Sequence, residues 1–325
     1  MSAGVRFSLS VLFIVGLLTL LADFFAPYPY RLQHRTTPYH PPTAIHFFKD
    51  GKFVKPYVNR YTLKDPIFKV YSEDVNVSCE LKFFHGTPYG YKFVSVREPC
   101  KLHLLGSDKL GRDVFSRLLY GARYSLGVAI IGTVVTFFVG AVVGGISGYF
   151  GGKVDASVMR LVEVLMSIPT FYLLLSLRAI FPLDMTSGQI FLMIVFILSL
   201  IGWAGLARVI RGMVLSIREK EFVIAARTYG AGTFRILRKH ILPNTYHYLI
   251  VSATLSMPAY ILGEAALSLL GLGIQEPEPS WGNMLSEVRN VNILSSFPWM
   301  LSPGIAIFIT VLAFNVLGDS LIKRK

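Results

Sequence analysis

Few side chains in this 325-residue sequence are spaced for chemistry. A nucleotide-phosphate loop needs Gly-x4-Gly-Lys-Ser/Thr, because its amides cradle the phosphates and the lysine reaches them. The two Gly-Lys pairs, Gly51-Lys52 and Gly152-Lys153, run into Phe53 and Val154 and lack the earlier glycine. ATP is not bound by that route. His34, His40 and His46 recur every six residues in a Pro-rich stretch with no Cys or acid at ligand spacing, and no His-Glu-x-x-His occurs. They read as solvated histidines, not as a metal centre. His247 has no evident catalytic partner, so the expectation is a chain that is not an enzyme and binds no metal or cofactor itself.

Other groups carry structural or mechanical possibilities. Both cysteines, Cys79 and Cys100, fall in one polar stretch; they are either a disulfide or two free thiols, since sequence does not show whether their Cβ atoms approach. Gly140, Gly144 and Gly148 follow small-xxx-small spacing, which admits a second helix backbone and points to an assembly. Within Glu219 to Gly230, Phe222, Ala225, Ala226 and Tyr229 lie at i, i+3, i+4 and i+7, one face of a short helix. Glu219 and Glu221 suit its N-terminus and Gly230 its end. A second amphipathic run sets Phe234, Leu237 and Ile241 against Arg235, Arg238 and Lys239, and Pro243 marks the return to apolar sequence. This loop either lies on anionic lipid or docks in a protein groove, and the paired alanines favour the groove because they let it reach the backbone.

The elements that position these groups are membrane spans. The chain is 53% hydrophobic and 16% charged, against about 25% charged in a soluble domain. Tyr124 to Gly152, Met185 to Ala207, Ile241 to Gly263 and Asn290 to Gly318 contain no Asp, Glu, Lys or Arg, and each exceeds the roughly 20 residues needed to cross a bilayer. Phe7 to Ala22 and Ser157 to Phe181 are weaker blocks. The first could be a signal peptide, but no small-x-small cleavage site follows before Pro27, so it is read as retained. Six spans result, an all-α polytopic membrane protein. The net charge of +13 belongs to a membrane surface before a nucleic acid.

Loop charges orient the spans. Arg208 to Leu242 holds eight basic and two acidic residues and the chain ends Lys323-Arg324-Lys325, whereas Phe181 to Ile190 has only Asp184. Basic loops stay inside, which puts both termini in the cytoplasm. Tyr28 to Arg123 carries sixteen basic residues against eight acids yet falls outside; long loops are largely exempt from the rule. Its segments Ile45 to Phe48 and Phe53 to Val58 around Asp50-Gly51, and Tyr91 to Val96, read as strands of a small β-rich insertion. The divisions are therefore 1–27, 28–104 and 105–325, with a cytoplasmic loop over 212–243. Glu264 lies about 28 Å along the fifth span, near the outer end of a core about 30 Å thick, where it faces a pathway or the headgroups. Asp113 is read as the cap of a surface helix, Val114 to Tyr120, lying on the outer lipid face.

Several motifs occur in an order that marks a family. Glu221-Phe222-Val223-Ile224-Ala225-Ala226-x3-Gly230 followed by Ile241-Leu242-Pro243-Asn244 resembles the EAA loop of ABC importer permeases. Leu105 to Asp113 with Ser116 to Arg123, and Gly263 to Gly273 with Pro279-Ser280-Trp281-Gly282-Asn283, resemble the C-type permease of dipeptide and oligopeptide importers, a family that also includes nickel permeases. The resemblance covers Leu105 to the C-terminus and, weakly, the first span; the stretch Tyr28 to Leu104 departs from it as an insertion.

The resemblance implies a type I importer permease fold in a bacterial inner membrane, working with a homologous second permease, two cytoplasmic ATPases that hold ATP and Mg, and an external binding protein, periplasmic or lipid-anchored. Glu221 to Gly230 would be the coupling helix, and Glu264 and Trp281 would face the translocation pathway or its outer gate. The cargo would be peptides, with nickel or another small solute as the alternative. A secondary transporter driven by an ion gradient fits less well, because the span centres are nearly free of charge.

Overall fold

The computed structural model describes residues 3–49, 51–180, 182 and 185–323, without the side chains of 170, 171, 174, 177 and 178. Asp50, Phe181, Asp184, Arg324 and Lys325, used above for a turn, a span limit and loop charges, lie outside the described residues. The chain forms two compact units, one of Met1–Leu9, Leu126–Leu267 and Val311–Lys325, the other of Ser10–Ser125 and Ser268–Thr310. The stretch 28–104 falls in the second unit, together with 10–27, 105–125 and 268–310.

The helices are α1 (Ala3–Leu20), α2 (Ala22–Phe25), α3 (Val114–Phe150), α4 (Gly152–Ser167), α5 (Thr170–Ile180), α6 (Ser187–Arg218), α7 (Glu221–Thr228), α8 (Thr233–Ile236), α9 (Tyr246–Leu269), α10 (Trp281–Leu285), α11 (Val291–Ser296) and α12 (Ser302–Ile322). Four helical runs among the described residues are long and apolar enough to cross a membrane: Val114–Phe150, Ser187–Arg218, Thr233–Leu269 and Pro298–Ile322. The chain is a multi-pass membrane protein.

Three expectations need amendment. The third expected span is two helices, α4 and α5, parted where Ile168 adopts extended backbone (ψ 125°) before Pro169, as a residue preceding proline prefers. The last span begins at Pro298, because Asn290 caps the separate helix α11 by accepting the Asn292 amide. The expected surface helix Val114 to Tyr120 is the first two turns of α3, 37 residues long. Asp113 does accept the Ser116 amide at 2.7 Å, but Val114 and Leu119 are buried against Met284 and Met300 and against Ala22 and Ala26, so that face does not lie on lipid.

In the unit of 10–125 and 268–310, β1 (His46–Lys49), β2 (Lys52–Asp65) and β3 (Val70–Glu80) form an antiparallel meander, and β4 (Lys82–Thr87) pairs with β5 (Gly90–Ser95). Lys49 pairs with Lys52 across β1 and β2. Cys79, near the end of β3, is disulfide-bonded to Cys100, with Cα atoms 6.1 Å apart, and Cys100 joins Val58, Leu81, Val94 and Leu102 in the core there. Trp281 is 2% exposed, its indole N–H donating to the Leu118 carbonyl at 3.0 Å. That burial makes it a packing anchor of this unit and removes it from a pathway surface. Arg112 and Arg117, each almost fully buried, both grip the Glu276 carboxylate, and Arg112 also holds Asp108 at 2.6 Å. Burial alone would raise the Glu276 carboxyl; hydrogen bonds and charge from the two arginines hold it below the usual range.

Candidate functional site

In the other unit, the chain between α6 and α9 builds a short lever. Glu221 starts α7 and Arg227 lies in its last turn, the charge order that suits a helix dipole. Gly230 sits at φ +79°, a left-handed conformation open to glycine. The Gly230 amide donates to Arg227 O and the Ala231 amide to Ala226 O, both at 3.0 Å, the paired bonds of a Schellman stop. Val223 is fully buried with Val214, Ile217, Ile236 and Ile241. One residue thus pins the helix from behind.

The opposite face is open. Phe222 is 42% exposed and Tyr229 91%, Ala225 is exposed and Ala226 half-buried. The residues singled out by their spacing form an uncovered apolar face. The following run behaves differently from its expected pattern: Phe234 is 74% exposed, and Ile236 goes inward beside Ile241. The reason is geometric, since Leu237–Ile241 winds as a π-helix and Leu242–Thr245 as a 3-10 helix, which breaks the 3.6-residue repeat. Leu242 is half-buried and Pro243 exposed at that junction.

Charged groups brace the helices behind this lever, and one of them, Arg227, belongs to the lever itself. Arg211 of α6 forms a bidentate pair with Asp155 of α4, with Nε to Oδ1 at 2.8 Å, and the Ser147 hydroxyl donates to the same carboxylate at 2.6 Å. Arg218 donates to the Gly148 and Tyr149 carbonyls that end α3, at 3.0 and 3.2 Å. Arg227 lies over the Tyr149 ring. In sequence these arginines are only loop charge and Asp155 belongs to no motif; its place three residues after Gly152, in the first turn of α4, is the available signal.

The glycine stripe packs within the chain and not against a second one. A Cβ at Gly144 would fall 2.5 Å from Ala207 O, at Gly148 2.7 Å from Arg211 O, and at Gly140 2.8 Å from Leu206. So α3 meets α6 backbone to backbone, as small residues allow. Glu264 of α9 is fully buried, which excludes headgroup exposure and leaves it off the open wall of the nearby cavity. That cavity, about 490 Å³, opens among α3, α6 and α9.

Residues 140–324 match the sequence profile of the binding-protein-dependent transport system inner membrane component. This chain belongs to that family. The permease is 46% identical to the dipeptide transport system permease protein DppC of Bacillus subtilis over 224 residues, 69% of this chain and 68% of that one. It is 38% identical to the oligopeptide permease OppC of the same organism, over 69% and 72%, and 41% identical to OppC of Haemophilus influenzae, over 67% and 68%.

Proposed function

We propose that the permease is one membrane subunit of an ATP-driven ABC importer of di- and oligopeptides in a bacterial inner membrane. In this reading the chain crosses six times with both termini cytoplasmic, α4 and α5 together making the third crossing, and 28–104 lies outside. A homologous second permease completes the passage, an external binding protein delivers the peptide, and two cytoplasmic ATPases bind ATP. The chain itself does no bond chemistry. When the ATPases close, they move α7 through Phe222, Ala225 and Tyr229; Val223 and the Arg211–Asp155 pair pass that motion to α6 and α4.

The observation that carries this reading is the mechanical character of α7. An apolar face this exposed is costly in water unless a partner covers it, and the helix is held rigidly from behind and stopped by its Gly230 cap, as a lever must be. The relatives' names supply the cargo. The test is ATP-dependent uptake of a labelled dipeptide into proteoliposomes holding the whole complex. Uptake is expected only with the ATPases present; transport by the purified permease alone would overturn the reading.

A further inference from the structure

The cavity among α3, α6 and α9 has a wall that follows a rule. Tyr248, Ser252, Ser256 and Tyr260 recur every four residues along α9 and all face it, a hydroxyl ladder about 18 Å long at 1.5 Å per residue. Ser256 donates to the Ser252 carbonyl at 2.7 Å, keeping its lone pairs for an outside donor, and the Ser252 hydroxyl has no hydrogen bond among the described residues. Among the described residues, no charged one lines this space. Polar groups at membrane depth are costly and mark function when they face a cavity.

The top of the ladder is drawn back. Tyr260 is 6% exposed, and its hydroxyl is hydrogen-bonded to that of Thr136 on α3. Its ring fits only because two neighbours lack side chains: a Cβ at Gly202 would fall 2.5 Å from the Tyr260 hydroxyl, and one at Gly132 2.7 Å from the ring. A methyl at either position would have to displace the ring from its slot or part the helices that form it. The two glycines therefore set the width of the space beside Tyr260.

Building on the importer reading, we propose that this ladder is a solute-contact surface that takes a peptide by its main-chain amides, while Tyr260 in its two-glycine slot limits the side-chain bulk that passes. Hydroxyls both donate and accept, so they match amides of either polarity. They hold them weakly enough for release, as conduction requires. An uncharged wall neither traps nor repels charged side chains. The same wall serves a divalent metal poorly, because it offers no carboxylate, imidazole or thiolate to replace the ion's water.

The test uses the complete complex in proteoliposomes, with labelled Ala-Ala, labelled Phe-Phe and radioactive nickel as probes. Wild type is expected to take up both peptides and not nickel. With Gly202→Ala, Phe-Phe uptake should fall about tenfold or more relative to Ala-Ala, the scale at which a site rejects one surplus group. Adding Tyr260→Ala should restore the ratio. Tyr260→Ala alone should favour Phe-Phe beyond wild type, which decides the matter if the Gly202 variant does not assemble. An unchanged ratio in these variants overturns the inference and leaves the importer reading standing. Nickel uptake without peptide uptake by wild type overturns the importer reading itself.

Discussion

Gly230 is where one residue's backbone decides whether the lever is stopped. Proline there would impose φ near −65° where +79° is used and would delete the amide that bonds Arg227 O. Gly230→Pro is expected to reach the membrane, since the apolar helices are untouched, yet to lose most peptide uptake while ATP hydrolysis continues. Paired uptake and hydrolysis measurements check this; normal uptake would remove the coupling role of α7. A second residue-scale consequence concerns pH. Burial, aided by the charge of Lys101, lowers His34 to about 4. His40 is buried, not solvated as its Pro-rich stretch suggests, and burial, aided by His103, lowers it to about 3. As pH falls, the unfolded chain takes up these protons first, so stability present above about 6.5 is lost as pH drops toward the folded values. Thermal unfolding of the purified protein should show its midpoint falling from pH 7 toward about 4, and His40→Gln should flatten that slope.

The elements differ in how far their sequences announce them. The apolar helices were readable because a bilayer demands long uncharged runs, and α7 because its apolar residues keep a 3.6-residue period. The strand β3 was not, since no residue of Val70–Glu80 is fully buried and its one-sided packing, at Val77 and Cys79, is confined to the end of the strand, too short an alternation to mark the whole of it. Nor was the inward turn of Ile236, because a π-helix changes the period without changing composition. The burial of Trp281 depends on a partner far along the chain, Leu118, which local spacing does not encode. The disulfide is the element-scale feature with the clearest energetic consequence. It closes 21 residues from β3 to the segment after β5, a loop length that corresponds to about 3 kcal/mol in the chain-entropy account. Cys79→Ser with Cys100→Ser should therefore open 28–104 to protease earlier than the helices, read by limited proteolysis of the purified protein.

At the scale of the whole molecule, topology turns on the interrupted element α4–α5. Between the β2–β3 turn, where Phe68 is 74% exposed, and the end of α7, where Tyr229 is 91% exposed, lie two uninterrupted candidate spans, Val114–Phe150 and Ser187–Arg218. Two crossings alone would return the chain to its starting side. A third, by α4 and α5 jointly, puts Phe68 and Tyr229 on opposite sides. Pro169 and the exposed Arg160–Glu163 pair on α4 make this passage irregular, and broken helices are tolerated at membrane depth only where protein or a water-lined cavity covers them. The experiment is clean because both native cysteines are tied in a disulfide and no free thiol exists among the described residues. Phe68→Cys and Tyr229→Cys, introduced singly, should react with a membrane-impermeant maleimide from opposite faces, the first in intact spheroplasts and the second only in inverted vesicles. Labelling of both from one face would mean that α4 and α5 do not traverse, and α7 would then lie beyond the reach of any cytoplasmic ATPase.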